Sequence, residues 1–559
     1  MWSGFGAALA AAVLVLALAP AAGATDLEQP KSETEPPHLF RLSAKRAIAI
    51  ADRASAVREE RRHGKLAPTA YTKGIGRWQV SYFRKGRESV QVQLDDRTGA
   101  VLEQWTGAQV AWTMARGYDG AFGRKLNAPY VWIPLCLLFL VPFFDPRRPL
   151  RLLHLDLLVV VAFGASHVFF NRGDIGTSVP LAYPVLLYLL VRMLAAGLRP
   201  RERRDRLVPL VPLTWLVVGL VFLGAFRIGL NVADSNVIDV GYAGVIGADR
   251  IMDGDALYGP RFADDNEHGD TYGPANYLAY VPFEQALPWS GRWDDLPAAH
   301  GAAITFDLLT MVGLLLLGRR LRPGREGTAL GVALAYGWAA CPYTAFALES
   351  NSNDSTVALA LVAALLALTL DPSRRGVGAA ARGLAIGVGA AAKFAPLALA
   401  PLFAAAGRER RLRSALVFTV VAAAVVAAAV LPFVPHGGLR ELYDRTVGYQ
   451  AGRPSPFSIW GQDPGLHWVQ TAVKVAAASL AVLVAFVPGR KSTRQAAALA
   501  AAILIALELA MTHWFYLYVP WFLPGFLVAV FGAYLPSSRG QEKPRAAPGA
   551  ARTRTAAAA

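Results

Sequence analysis

From residue 129 to residue 535 the chain is a succession of apolar runs separated by short connections that carry most of the charge. A bilayer's hydrocarbon core is about 30 Å thick, so a crossing helix needs roughly 20 mostly apolar residues. Runs of that kind lie near 129–144, 153–170, 178–198, 208–230, 296–318, 327–347, 354–370, 414–432, 467–487, 495–512 and 517–535. The stretch 378–407 reads differently. Its flanks at 373–375 and 407–413 are both basic and so belong on one side, which predicts two short helices that enter and return, turning near Lys393. The pattern as a whole predicts a mostly α, polytopic membrane protein of about 13 transmembrane helices.

The first 128 residues follow two other patterns. Residues 1–24 form an apolar stretch ending Ala22-Gly23-Ala24, a small-x-small ending that fits signal-peptide cleavage before Thr25. The segment before it holds neither Lys nor Arg, so an uncleaved anchor is the alternative; either places the following residues outside the cytoplasm. Residues 25–125 are polar enough for a small extracytoplasmic α+β domain. The stretch from Ser43, a candidate N-cap, to Arg62 repeats Ala and Ile at helical spacing. Trp78, Val80 and Tyr82, then Val90, Val92 and Leu94, alternate as strands do, and Asp95-Asp96-Arg97-Thr98-Gly99 turns the chain into a further strand.

Composition sharpens this picture. Hydrophobic residues make up 54% and charged ones 17%, against roughly a quarter charged in an ordinary soluble protein, and mean hydropathy is +0.35. A string of soluble domains is excluded. The net charge of +16 invites a nucleic-acid reading, but its distribution argues for membrane orientation instead. Connections placed inside (145–152, 199–206, 319–326, 371–382, 408–413, 490–494 and the tail) hold 27 Lys and Arg; those placed outside (171–177, 231–295, 348–353, 433–466, 513–516) hold 7. The Ala-, Pro- and Arg-rich tail 536–559 is expected to be disordered and cytoplasmic. Cys136 and Cys341 both lie in apolar runs, so no disulfide framework or Cys-based metal site is available. Neither a metalloprotease helix motif nor a phosphate-cradling glycine loop occurs. No metal and no nucleotide cofactor is expected.

The long connection 231–295 stands apart. It holds twelve acids against Arg250, Arg261 and Arg292 in a chain that is otherwise strongly basic. Asp234 and Asp239 come just after the run ending near Leu230 and so sit at the membrane surface, where a lipid-borne head group would be presented. Asp249, Asp253, Asp255, Asp264 and Asp265 occupy glycine-rich, turn-like surroundings and read as solvated surface. Asp239 lies in an apolar amphipathic stretch with Tyr242 at i+3. A carboxylate at an apolar edge has its charged form disfavoured, which suits a general base; a plain surface acid is the competing reading.

The order of motifs then carries a resemblance. After a spanning run come Asp239 through Tyr258, Tyr272-Gly273-Pro274, Asn351-Ser352-Asn353-Asp354 and the hairpin Gly389–Leu402 around Lys393; Ser455–Gly461 and His513-Trp514-Phe515-Tyr516 follow. Over roughly 208–535 this resembles the GT-C glycosyltransferases of family 87, similar to polyprenyl-phosphate-mannose-dependent mannosyltransferases. The helix-then-meander of 25–125 resembles the PepSY domain, which implies a binding or regulatory accessory. The implied organisation is signal 1–24, PepSY-like domain 25–125, three additional transmembrane helices in 126–206, a GT-C-like core over 207–535 and the tail 536–559. The resemblance places the family's base on Asp239. Its loop motif falls on Gly254, Asp255, Ala256, Leu257 and Tyr258 without a spacer residue. Its entry motif is represented only by Asp270-Thr271-Tyr272-Gly273-Pro274, a departure at the acceptor pocket's wall. The resemblance implies inverting, cofactor-free transfer of a sugar, with mannose first and another hexose or a pentose open. The donor would be a polyprenyl-phosphate sugar and the acceptor a glycolipid, lipoglycan or protein at the extracytoplasmic face, among membrane lipids and with no nucleic-acid partner.

The chemistry asks for the same groups. A phosphate monoester leaves without an acid, so the enzyme needs a base for the acceptor hydroxyl and cations or donors for the phosphate. Lys393 is the first candidate, since an ammonium in an apolar hairpin is costly unless it meets an anion; snorkelling to the surface is the alternative. Arg453 and His513 are further candidates, His513 equally a member of an interfacial aromatic belt. Asn351, Asn353 and Asp354 either bind sugar hydroxyls or cap the helix near Ser355, with capping the stronger reading. Trp460 either stacks on a sugar or anchors at the interface, and Tyr272 and Tyr258 complete the expected substrate contacts. A secondary transporter carries intramembrane charges and broken helices too, but it is disfavoured because the acids gather in one outside loop. A membrane sensor would need a cytoplasmic output domain, and the chain offers none.

Overall fold

The computed structural model describes residues 27–117, 124–203, 205–259, 268–291, 296–370, 376–406 and 411–535. The segment 1–24 expected to be a signal, the tail 536–559 and the acids Asp264 and Asp265 lie outside the described residues.

The N-terminal unit is a five-stranded antiparallel meander, β1 (Leu27–Glu28), β2 (Ala67–Lys73), β3 (Arg77–Arg84), β4 (Arg87–Asp95) and β5 (Val101–Thr106), in the order β1-β2-β3-β4-β5. Trp78 pairs with Leu94, Val80 with Val92 and Tyr82 with Val90. These six side chains are fully buried against two short helices, Ala44–Ala51 and Ser55–Arg61. The hydroxyl of Ser43 caps the first helix by accepting from the Arg46 N–H. The single helix expected over 43–62 is interrupted near Asp52–Ala54. Asp96 holds the unit's corner, accepting from the Trp78 indole at 2.8 Å and from the backbone N–H groups of Arg41 and Leu42. The strands' other faces carry Gln79, Ser81, Gln91 and Gln93, also buried.

Among the described residues seven helices are long and apolar enough to cross a membrane: Leu152–Asn171, Ile175–Leu198, Leu213–Asp234, Pro297–Leu321, Leu412–Phe433, Pro464–Phe486 and Thr493–Ala510. Five other apolar segments, Pro129–Phe143, Ser355–Leu368, Val377–Ala392, Ala395–Ala405 and Tyr516–Phe531, are shorter. Each falls short of the roughly 20 residues needed for a full crossing, so length and composition support seven spans where about 13 were expected. The run expected as one span over 327–347 is two helices, Gly324–Ala340 and Pro342–Glu349, because Pro342 brings no N–H to continue the first ladder. The described part of the long acidic connection is largely helical and includes Asp239–Asp253, which Gly254 ends in a left-handed conformation.

Helices pack closely where small residues allow it. Gly318 meets Gly331 so tightly that a Cβ would lie 2.2 Å from the Gly331 nitrogen. A buried ion pair staples the bundle: Arg227 Nη2 donates to Asp307 Oδ1 at 2.5 Å, and the Trp338 indole donates to the same oxygen at 2.8 Å. Arg227 Nη1 reaches Ala339 O and Thr344 Oγ1 across the break at Cys341–Pro342.

The basic connections meet at one end of the bundle. Arg148 pairs with Asp205, Arg494 donates to Arg201 O at 2.9 Å, and Arg322 donates to Gly532 O at 3.1 Å. Arg382, near the base of the expected hairpin, donates to Phe403 O at 3.0 Å. The chain therefore leaves this end along Val377–Ala392, turns at Lys393 and returns through Ala395–Ala405. The hairpin tip lies at the opposite end, beside Asp239.

Candidate active site

At the tip end several turns are locked together around a cavity of about 620 Å³. The first is 235–238. Its Asn236 and Ile238 N–H groups donate to Glu349 O and Ser350 O, and the Asn351 amide donates to Ser235 Oγ and Asn236 O. Asn351 sits at φ +48°, a left-handed conformation that asparagine tolerates, and its Oδ1 accepts from Asn231 at 2.9 Å. Gly241 lets the next helix seat on this turn, since a Cβ there would come 2.4 Å from Asn351 O. The second turn carries Tyr272. Gly273 lies on the hairpin tip, donating to Ala392 O at 3.2 Å, and a Cβ would fall 1.9 Å from Ala391 O. That contact accounts for glycine between Tyr272 and Pro274. A third segment is tied on by Arg445 to Asp270 at 2.8 Å and Gln450 to Thr271 at 3.1 Å. It ends at Arg453.

Asp239 is the first residue of its helix and accepts from its neighbour's N–H, Val240, at 2.9 Å. Its side chain is solvent-accessible and lines the cavity. Partial desolvation by the cavity walls pushes its pKa above the ordinary aspartate value; the positive field of Arg453 opposes this most strongly, then the Val240 N–H and Lys393, while Asp354 adds to the rise.

Lys393, at the hairpin turn, ion-pairs with Asp354 and donates to Asn353 Oδ1 at 2.7 Å. Three aromatic rings surround its ammonium: Trp521 at 5.4 Å, Tyr518 at 5.8 Å and Tyr272 at 6.0 Å. Asp354 also accepts from the Trp521 indole at 2.7 Å and from Ser352 Oγ. The Asp354 side chain makes no cap bond to the helix Ser355–Leu368. The capping expected of it is replaced by the neutralisation of Lys393.

Arg453 is held differently. Its guanidinium lies 5.2 Å from the centroid of Trp112 and donates to the His513 ring at 3.1 Å, and its Nε has no hydrogen-bond partner. Burial and the nearby Arg453 and Lys393 charges keep the His513 pKa well below the usual histidine range, so the ring is neutral and accepts. Ser455 Oγ lies 2.9 Å from His513 Nδ1.

The cavity thus brings together Asp239, Tyr272, Asp354, Lys393, Arg453 and His513 of the sequence-predicted residues. The others lie elsewhere. Asp234 accepts from the Lys125 backbone N–H at 3.1 Å, with the Lys125 ammonium 3.7 Å away. Tyr242 packs edge-on to Trp289 outside the cavity lining, and Tyr258 donates to Tyr272 O at 2.8 Å. Asn351 and Asn353 spend their amides on internal bonds, Asn353 donating to Asn276 at 2.6 Å. Trp460 donates to Leu509 O at 2.9 Å and packs against Tyr183, away from the lining.

Sequence reasoning missed Tyr518 and Trp521, which merge into a generic aromatic belt, and Lys474, which had a legible signal. It is the one Asp, Glu, Lys or Arg in the helix His467–Phe486, it is exposed, and it lines the cavity with Ala477, Ala478 and Ala481. Among the described residues no group of three or more His, Cys, Asp or Glu side chains is placed to hold a metal ion.

Residues 271–547 match the family model of glycosyltransferase family 87. The matched segment contains Tyr272, Lys393, Arg453 and His513 and begins after Asp239. No curated protein matches the chain. Together with the apolar helices, the family match supports a membrane glycosyltransferase.

Proposed function

We propose that the protein moves a sugar, mannose by the family resemblance, from a polyprenyl-phosphate donor to a glycolipid, lipoglycan or protein acceptor at the extracytoplasmic face. Asp239 takes the proton of the acceptor hydroxyl. The acceptor oxygen attacks the sugar's C1 from the face opposite the phosphate, the C1–O bond breaks with inversion, and polyprenyl phosphate leaves carrying the bond's electron pair. Arg453 meets the leaving phosphate, with Lys474 beside the lipid. Lys393 was the first phosphate candidate from sequence. Its pairing with Asp354 favours a supporting part instead, in which it holds the hairpin tip and lends positive field to Asp239.

The observation that carries this reading is one cavity whose lining joins the Asp239 carboxylate to a guanidinium that, among the described residues, forms no ion pair with a carboxylate, with an apolar wall leading away from both. Leu397, Ala398 and Pro401 of the hairpin face Ala477, Ala478 and Ala481 along that wall, where a prenyl chain fits. Lys474 projects from an apolar helix beside it, a placement that is costly unless an anion is near.

The test is a transfer assay on purified protein with radiolabelled polyprenyl-phosphate sugar, reading the product's anomeric configuration. Inverted product from the parent, and a loss of roughly two to four decades in Asp239→Asn, are expected. Retained configuration, or an Asp239→Asn protein as fast as the parent, would overturn the assignment. Uptake of a solute by the reconstituted protein without any sugar transfer would favour the transporter reading.

A further inference from the structure

The segment that leaves the N-terminal sheet reaches the cavity. After β5 the chain forms a short helix, Ala108–Ala111, and a turn, Thr113–Ala115. Between them Trp112 lays its ring against three groups at the rim: the Arg453 guanidinium at 5.2 Å, the His513 ring at 5.6 Å and 33°, and Phe457 edge-on at 5.4 Å. Met114 lines the cavity itself.

The segment is anchored on both sides. Toward the bundle, Gln109 donates to Gly173 O and Ala115 O, both at 3.1 Å. The backbones at Gly117 and Gly173 approach so closely that a Cβ on Gly117 would lie 2.0 Å from the Gly173 nitrogen. Toward the sheet, Arg116 donates to Gln91 Oε1 of β4 at 2.7 Å and to Gln109 O at 2.8 Å, and its guanidinium lies over Trp105 at 5.5 Å. The buried polar face of the meander is where this segment is fastened.

The chemistry of the support matters. A guanidinium that is to receive a phosphate loses affinity if a carboxylate already neutralises it. An aromatic face holds it in place by cation–π attraction and leaves its net charge for the ligand. We infer that Trp112 is a positioning residue for Arg453, and that through it the N-terminal domain completes the site for the donor's phosphate. The inference rests on the proposed transfer from a polyprenyl phosphate and adds a part for a domain that lies outside the family match.

The experiment compares full-length parent, Trp112→Ala and Trp112→Phe in lipid nanodiscs. It measures binding of polyprenyl phosphate alone, and KM for the donor and for the acceptor separately from kcat. Trp112→Ala should weaken polyprenyl-phosphate binding and raise the donor KM, each by roughly tenfold, with acceptor KM and kcat within about twofold of the parent. Trp112→Phe, which keeps a ring face, should recover most of that loss. Gln91→Ala, which removes the sheet's hold on Arg116, should raise the donor KM by a smaller factor in the same direction. Unchanged donor binding in a folded Trp112→Ala, or an equal fall in kcat with both KM values intact, would overturn the inference while leaving the proposed reaction standing. Faster turnover in Trp112→Ala would also overturn it, because the segment would then be a cover over the cavity. A parent that binds polyprenyl phosphate but transfers no sugar would instead count against the proposed function.

Discussion

Two buried ion pairs in this protein are built alike and do different things. In the bundle, Arg227 meets Asp307, and the Trp338 indole donates to the acid. At the hairpin tip, Lys393 meets Asp354, and the Trp521 indole donates to the acid. The first pair is sealed: both side chains are almost wholly buried, and Arg227 Nη1 donates to Ala339 O and Thr344 Oγ1. The second pair lines a cavity and shares it with Asp239 and Arg453. A closed pair serves as a staple, because breaking it leaves an uncompensated charge in a dry interior. A pair that faces a cavity also sets the field felt by whatever enters. Arg453 also lines it and, among the described residues, forms no ion pair with a carboxylate, so its charge is left for a ligand.

Breaking the sealed pair should have the largest effect on the fold. Asp307→Ala strands the Arg227 guanidinium and should cost about 3–5 kcal/mol, seen as a sharply lower thermal midpoint and poor recovery of folded protein. Removing only the charge at the open pair should separate fold from function. Asp354→Asn keeps the shape and acceptor that the Trp521 indole needs while removing the charge opposite Lys393. Folded protein should be recovered, with turnover down by about one to two decades. Equal thermal losses in the two variants would erase the distinction between them.

A smaller effect is expected in the pH profile. Asp239 acts when ionised, and partial desolvation in the cavity holds its pKa above the ordinary aspartate value. The rate should therefore fall, as pH drops, at a higher pH than a free carboxylate would give. Arg453 is the strongest influence pulling that pKa down, so Arg453→Gln should move the acid limb to higher pH, besides weakening donor binding. A limb that stays in place would mean that Asp239 and Arg453 do not share one field. The smallest effect belongs to Asp234→Asn. Asp234 pairs with Lys125 outside the cavity lining, and its variant should keep transfer within about twofold of the parent.

What the sequence made legible follows from which signals are local. The alternation of Trp78, Val80 and Tyr82 with Val90, Val92 and Leu94 gave the sheet's buried face, because side-chain direction in a strand repeats every two residues. The basic flanks of 378–407 gave the hairpin and its turn at Lys393, and Asp239 and Lys393 line one cavity as that turn implied. Elsewhere a residue's contacts depend on a distant partner that no local pattern shows. Asn353 and Asp354 looked like cap or sugar ligands, and their partner Lys393 lies some forty residues on. Trp460 looked like a sugar platform until its indole found Leu509 O. The Arg227–Asp307 staple was hidden because each charge sat alone in an apolar run. Trp112 gave no sign at all, since nothing in a soluble domain's last turn announces contact with Arg453.

The claim that most needs a direct test is that Arg453, and not Lys393, receives the phosphate beside the base Asp239. A density map of the Asp239→Asn protein with polyprenyl phosphate bound would decide it. The account predicts phosphate density within hydrogen-bond reach of the Arg453 guanidinium. The prenyl chain should run past Lys474 along Ala477 and Ala481, and the Lys393–Asp354 pair should stay intact. Phosphate density on Lys393 with Asp354 turned away, or lipid phosphate held only by the basic connections at the opposite end of the bundle, would contradict it.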